Sequence, residues 1–465
     1  MRRLFALGLV LVACGGTADP GPATTGASEP TEATTTTATT TTVPSLARAF
    51  GEPPSVPDGP LSSESVAAVD AVFERIDLPI SPTAVAGFAD TGDARLAWLL
   101  ADILRFSRDP EVNRSAVDAA NALTGVDFGG PVPWVSISDH LLAWDLPAPP
   151  DYEAYKARLF TFVEPRWKIA FVDGNTIDDR LLSWGGVLPD DRPFGATDPC
   201  ERGCIPALDE PAVTSATEGG WYPDDRIVFG VEIDGAARAY PKHIMEVHEM
   251  VNDTLGGRDF ALPYCTLCGS AQLFFTDDVT GFDRPVLRTS GLLSRSNKVM
   301  YDLVTGSVFD TFRGEAVAGP MGDAGIVLDQ GTVIVSTWGA WRDEHPDTTI
   351  VARDGGIGRE YDLDPLGGRD DQGPIFPIGD RDLRLGVQEQ VLGVILPDGT
   401  AFAFPVAASR AVLDAGGTVS LDGVSLREEA GGLVAVDPEG NQISSHQSFW
   451  FAWSQFHPDT LLWTG

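Results

Sequence analysis

The sequence predicts an α+β fold, a helical N-terminal module followed by a mainly β duplicated domain. Three observations carry this reading. Apolar positions recur at helical spacing between residues 62 and 125. From Tyr222 the texture changes to short β-type runs broken by Gly, Asp and Pro. In that second part, two pairs of segments resemble one another in register, the mark of repeated supersecondary units.

The chain opens MRRLFALGLVLVAC, where Arg2 and Arg3 precede an apolar run from Leu4 to Val12 that is too short to span a bilayer. The run ends in Leu11-Val12-Ala13-Cys14, which resembles the lipobox of bacterial lipoproteins. That resemblance implies a signal peptide over 1–14, a lipid on Cys14 and a place on the extracytoplasmic face of the cell membrane. An ordinary secretory signal is the alternative, and either one takes the chain out of the cytoplasm. Residues 15–60 are rich in Thr and Pro with almost no large apolar side chain. They have little to offset ordering entropy and read as a disordered tether.

Residues 61–180 form the helical module. SSESVAAVDAVFERI offers a serine N-cap region, and DARLAWLLADILRFS repeats the helical period. PEVNRSAVDAANALTG opens on Pro110 and closes on Gly125, the expected asymmetry of a helix. DYEAYKARLFTFVEPRW, from Asp151, adds another helix. A stretch of HEAT-type repeats and a plain helical bundle both fit these segments. Residues 181–221 read as a connector.

The β part is expected as a first copy over 222–355, a connector over 356–385 and a shorter second copy over 386–465. RIVFGVEIDGAARAYP sets Asp234-Gly235 between alternating apolar residues, a hairpin signal. VLGVILPDGTAFAFP at 391–405 repeats it with Asp398-Gly399, and TWGAWRDEHPDT at 337–348 matches FWFAWSQFHPDT at 449–460. What both copies carry reads as architecture, so His345 and His457 are set aside, and Asp347 and Asp459 are expected to cap the segments that follow them. Chemistry is expected in the stretch that the first copy alone contains.

Composition narrows the partners. A formal charge of -35 and a pI near 4.3 repel nucleic-acid phosphates at long range, so no nucleic acid is expected. The 43% hydrophobic content suffices for two or more cores. A protein or small-molecule partner stays open.

The unduplicated stretch holds HEMVND, PYCTLCGSA and TSGLLSRSNKVMYD. Cys265-x-x-Cys268 can be a dithiol redox pair, a disulfide or half of a metal site, because two intervening residues let both sulfurs face one point. If KHIMEVHEMVND is helical, Ile244, Val247, His248 and Val251 share one stripe and His248 faces inward. Meeting the cysteines there, it gives a His248, Cys265, Cys268 set suited to Zn or Cu, with water, Asp253 or another side chain as fourth ligand. The candidate site is therefore His248, Asn252, Asp253, Cys265 and Cys268, with Ser290, Asn297, Tyr301 and Asp302 around it. Outside the cytoplasm, Cys200 and Cys204 are expected as a local disulfide. Arg288, Arg295 and Lys298 are read either as an anion or carboxylate site or as protective charges on a strand edge. His248-Glu249 begins like a zincin helix, but Asn252 stands where the second imidazole belongs, and no nucleophile elbow, phosphate loop or dinucleotide fingerprint is present.

VEIDGAARAYP, HEMVNDTLGG, YCTLCGSA, the SGLL, SN and MYD elements, and CIPALDEP at 204–211 together resemble the domain of unknown function 3179 family over about residues 200–465. The resemblance implies a domain and a motif set rather than a reaction. Thr266 departs from the proline expected after the first cysteine. Two function classes follow, a metal- or thiol-dependent extracytoplasmic site and a cell-surface binding or scaffold lipoprotein whose cysteines only staple the fold.

Overall fold

The computed structural model describes residues 50–172, 174–369 and 373–465. The lipobox, Cys14 and the tether as far as residue 49 lie outside the described residues.

The helices begin and end where local chemistry dictates. Ser63–Phe73 starts on Ser62, whose hydroxyl accepts the Ser65 amide. Pro110–Thr124 starts on Asp109, which accepts the amides of Glu111 and Val112, and stops at Gly125 with φ 76°. Ala97–Phe106 is the hub. It is buried over most of its length and packs against Pro110–Thr124, Pro133–Ala143 and Tyr152–Val163. The sequence reading had missed Pro133–Ala143 and the single turn Pro82–Ala86. Trp167 ties this module to the β region by donating its indole N–H to the Ser290 carbonyl at 2.8 Å.

The expectation of one duplicated β domain is overturned. The β region is five small sheets in a propeller-like arrangement. One runs Leu182–Trp184, Leu287–Ser294, Asn297–Asp302, Val308–Asp310 and Glu315–Ala318. A second is centred on Met250–Leu255 and Arg258–Cys265, a third on Ile227–Ile233 and Ala236–Pro241, a fourth on Gln390–Ile395 and Ala401–Pro405, and a fifth on Val424–Glu429 and Gly432–Val436. The matched sequence segments fall on the third and fourth of these, not on two halves of the region. In both, the central hairpin is flanked by one antiparallel strand and one parallel strand. In both, a tryptophan lies against a glycine of the inner strand. A Cβ on Gly230 would lie 2.2 Å from Trp341, and one on Gly393 would lie 1.9 Å from Trp453. The indole N–H groups reach Thr348 at 2.9 Å and Thr460 at 3.0 Å. Thr348 and Thr460 thus anchor these turns, whereas Asp347 and Asp459 are exposed.

The helix expected through His248 and on to Asp253 is also corrected. It spans Lys242–His248, ends at Glu249 with φ 52°, and gives way to the strand Met250–Leu255. Pairing of that strand with Arg258–Cys265 outweighs the helical pattern, as tertiary context does when local preference is weak.

Candidate dithiol site

The CxxC segment is a tight strand reversal. Cys265 ends its strand, Ser270 pairs back with it, and the turn between them closes by a 3.2 Å bond from the Cys268 amide to the Cys265 carbonyl. Gly269 supplies the left-handed backbone, φ 59°, that the reversal needs. Both cysteines are free thiols and buried, Cys265 at 3% exposure and Cys268 at 0%.

The two thiols are unlike. Burial raises Cys265, but the Cys268 thiol, the Lys298 amide and the Lys298 charge outweigh it, so its pKa is held below the ordinary thiol value. Burial pushes Cys268 well up, and the neighbouring Cys265 adds to it. Cys268 Sγ also lies 3.5 Å from the Ser296 carbonyl. The pair is therefore arranged as one thiol favoured as thiolate and one held protonated.

Lys298 and Glu249 accompany the thiols. Lys298 donates to the Glu249 carbonyl, lies 3.3 Å from its carboxylate and 3.4 Å from the Tyr264 carbonyl. Burial lowers the Lys298 pKa, while Glu249 and the cysteines oppose the shift. Thr266, two residues before Cys268, donates to Glu249 Oε1 at 3.0 Å. Asn297, one residue before Lys298 on the same strand, is buried with neither end of its amide bonded, and the buried hydroxyls of Ser296 and Ser270 also lack partners. Such orphaned groups are uncommon in a packed interior and mark where water or a ligand group fits.

The His248, Cys265, Cys268 metal set is corrected. His248 does face inward, at 1% exposure, but its Nδ1 is 2.6 Å from the Pro206 carbonyl and its Nε2 is 2.7 Å from the Tyr361 hydroxyl. Both ring nitrogens are occupied, and burial pushes its pKa down to about 4. Among the described residues no group of three or more His, Cys, Asp or Glu side chains suits a metal ion, so neither Zn nor Cu has a donor set here.

Most of the remaining candidates stitch the sheets. Asn252 bonds Asp209 at 2.9 Å and the Leu287 backbone in both directions. Asp253 accepts from Arg238 and from Tyr240, each at 2.6 Å. Ser290 bonds the Val299 carbonyl, Tyr301 the Asp190 carbonyl, and Asp302 the turn at Thr305. Arg288, at 0% exposure, forks onto Asp209 at 2.9 and 2.7 Å, which excludes the solvated-edge reading for it. Cys200 and Cys204 form a disulfide. Of the nine candidates the structure gathers Cys265 and Cys268 at one place. Sequence reasoning missed Glu249 and Lys298 as site residues, although both lie inside the motifs it singled out.

Residues 202–419 match the family model described as Protein of unknown function (DUF3179). No curated protein and no solved structure matches the chain.

Proposed function

Because the chain belongs over residues 202–419 to the DUF3179 family, whose description carries no activity, we propose from its own geometry that Cys265 and Cys268 are a dithiol that exchanges with disulfides. In this proposal the protein works outside the cytoplasm, lipid-anchored through Cys14. The observation that carries the reading is the buried pair of free thiols, three residues apart on one turn, set beside the buried Lys298–Glu249 ion pair.

The Cys265 thiolate attacks one sulfur of a disulfide. A new bond forms between Cys265 and that sulfur, the disulfide breaks, and its other half leaves as a thiolate that takes up a proton. Cys268 then gives up its proton and attacks Cys265 Sγ. The Cys265–Cys268 disulfide forms and the second half of the substrate leaves as a thiol. Two electrons pass from the dithiol to the substrate, and the sequence runs in reverse with a thiol reductant. Lys298 stabilises the Cys265 thiolate, and Glu249 holds the ammonium in place through the same bonds that Thr266 completes. Because Cys265 is only 3% exposed, exchange requires the Thr266–Gly269 turn to open.

The test uses the purified full chain carrying Cys268→Ser. Mixed with 2-hydroxyethyl disulfide, it accumulates a stable adduct on Cys265 that mass spectrometry resolves, while wild type passes on to the Cys265–Cys268 disulfide and Cys265→Ser gives no adduct at this pair. Absence of an adduct on Cys268→Ser, or a Cys265–Cys268 bond that reducing agents never open in the folded protein, overturns the reading in favour of a scaffold with structural cysteines.

A further inference from the structure

Three titratable side chains that the dithiol chemistry does not use meet inside the helical module. Tyr152 and Lys156 stand one turn apart on Tyr152–Val163 and so share a face, and Asp102 reaches them from Ala97–Phe106. Lys156 donates to Asp102 Oδ1 and to the Tyr152 hydroxyl, each at 3.0 Å. That hydroxyl donates in turn to Asp102 Oδ2 at 2.8 Å, so one group touches both the amine nitrogen and the second carboxyl oxygen. Lys156, Asp102 and Tyr152 are 2%, 8% and 5% exposed. The rings of Tyr152 and Phe160 lie 5.1 and 5.2 Å from the Lys156 nitrogen.

Burial makes the ionic state of this pair costly. Passing a proton from Lys156 to Asp102 leaves a neutral amine against a neutral carboxylic acid with no proton gained or lost overall, and burial, which raises the Asp102 carboxyl above its usual range, favours that form. A neutral amine and a carboxylic acid are the partners of amide formation. Asp102 Cγ is one covalent bond beyond Oδ1, so a movement shorter than that bond brings the nitrogen to the ~3.5 Å of a near-attack arrangement. Beside the three groups lies a cavity of about 20 Å³, lined by all of them and with room for one water molecule.

We infer that Lys156 and Asp102 join in an intramolecular isopeptide bond that ties two helices of the N-terminal module covalently, a modification site separate from the dithiol. The Lys156 nitrogen attacks Asp102 Cγ and the N–C bond forms. The nitrogen gives a proton to the Tyr152 oxygen while the Tyr152 hydroxyl gives its own to Oδ2. The Cγ–Oδ2 bond then breaks and water leaves into the adjoining cavity. Amine and acid become amide and water, with no oxidant or activating group consumed. Two buried charges are replaced by a neutral amide, which removes the desolvation cost that the ion pair carries.

Peptide mapping of the purified full chain tests it. The protein is reduced, denatured, digested with trypsin and read by mass spectrometry. The expected species is Leu96–Arg105 joined to Ser115–Arg158, one water lighter than the two peptides together and uncut after Lys156, whose side chain is no longer charged. Asp102→Ala yields the two segments apart, with cleavage after Lys156 restored. In Tyr152→Phe, with circular dichroism reporting intact helices, joining in freshly made chain is slowed about a hundredfold, the size of a lost proton relay. Separate peptides from the wild-type chain, or joining that survives Asp102→Ala, overturn the inference and leave Lys156 and Asp102 as an ion pair. An unchanged rate in Tyr152→Phe overturns the relay assigned to that hydroxyl.

Discussion

The ammonium of Lys298 and the carboxylate of Glu249 meet at 3.3 Å from opposite directions, one on the strand after a β turn, the other at the left-handed end of a helix. Both side chains are largely removed from water, at 5% and 14% exposure. Their attraction has to offset the desolvation of two charges, and each is costly without the other.

Replacing one partner therefore exposes the imbalance. Lys298→Met or Glu249→Gln is expected to lower unfolding free energy by about 3 kcal/mol, whereas the double variant recovers most of it. Denaturant melts of the four proteins check this. Lys298→Met also moves the pH midpoint of Cys265 alkylation upward, because the cation that favours the thiolate is gone. An unmoved midpoint would separate Lys298 from the thiol chemistry.

Gly393 and Gly230 allow no side chain, since each lies flat against an indole. Gly393→Ala is expected to cost about 3 kcal/mol or more, at the upper end for overpacking, and Gly230→Ala about as much. Thermal melts measure both. Pairing Gly393→Ala with Trp453→Phe, which removes the clashing ring edge, restores part of the loss; a double variant no better than the single would refute the contact.

Three buried histidines and the half-buried His457 make stability depend on pH in a set direction. Burial pushes His243, His248 and His457 down to about 4 and His446 to about 3, from 6.5. The unfolded chain takes up protons near 6.5 and the folded chain refuses them until much lower pH. The stability contributed by the neutral rings is complete above 6.5 and is lost as pH falls toward about 4. Urea titrations between pH 8 and 4.5 should show a slope approaching about 1.4 kcal/mol per pH unit for each titrating ring. His446→Gln removes one proton from that slope, and a flat profile would contradict the burial of these rings.

Asp179 behaves oppositely. Burial, opposed by Lys156 and reinforced by neighbouring carboxylates, raises it to about 7, and its Oδ1 is buried without a partner. With a folded pKa above the unfolded one, the carboxylate weakens the fold fully above pH 7 and progressively less as pH falls from 7 toward the unfolded value of 3.8. Asp179→Asn should stabilise the protein by roughly 1 kcal/mol at pH 8, with the gain smaller at pH 5.5 and closing only as pH nears the unfolded carboxylate value of 3.8. Calorimetry at the two pH values decides it.

The elements governed by local chemistry were legible in the sequence. Ser62, Pro110 and Gly125 announce helix ends, and Asp234-Gly235 announces a two-residue hairpin whose backbone is left-handed at both positions. The sheet count was not legible, because the repeated segments belong to two sheets while the other three have no counterpart to draw attention to them. The cysteine pair was found and its companion misassigned. A histidine on a predicted helix face looks alike whether it meets sulfur or, as here, the Pro206 carbonyl and the Tyr361 hydroxyl, the latter 113 residues away. Lys298 read either as part of an anion site or as a strand-edge charge, because its partner Glu249 lies 49 residues upstream and nothing local reveals the contact.

The near-complete burial of Cys265 turns the pair into an internal gauge. Reagents reach its sulfur only when the Thr266–Gly269 segment lifts, so under fast reclosing the alkylation rate equals the intrinsic thiolate rate multiplied by the fraction of molecules open at that moment. Whatever changes that fraction, whether acidification or a substitution in an adjoining sheet, is then readable at a single atom without any added label.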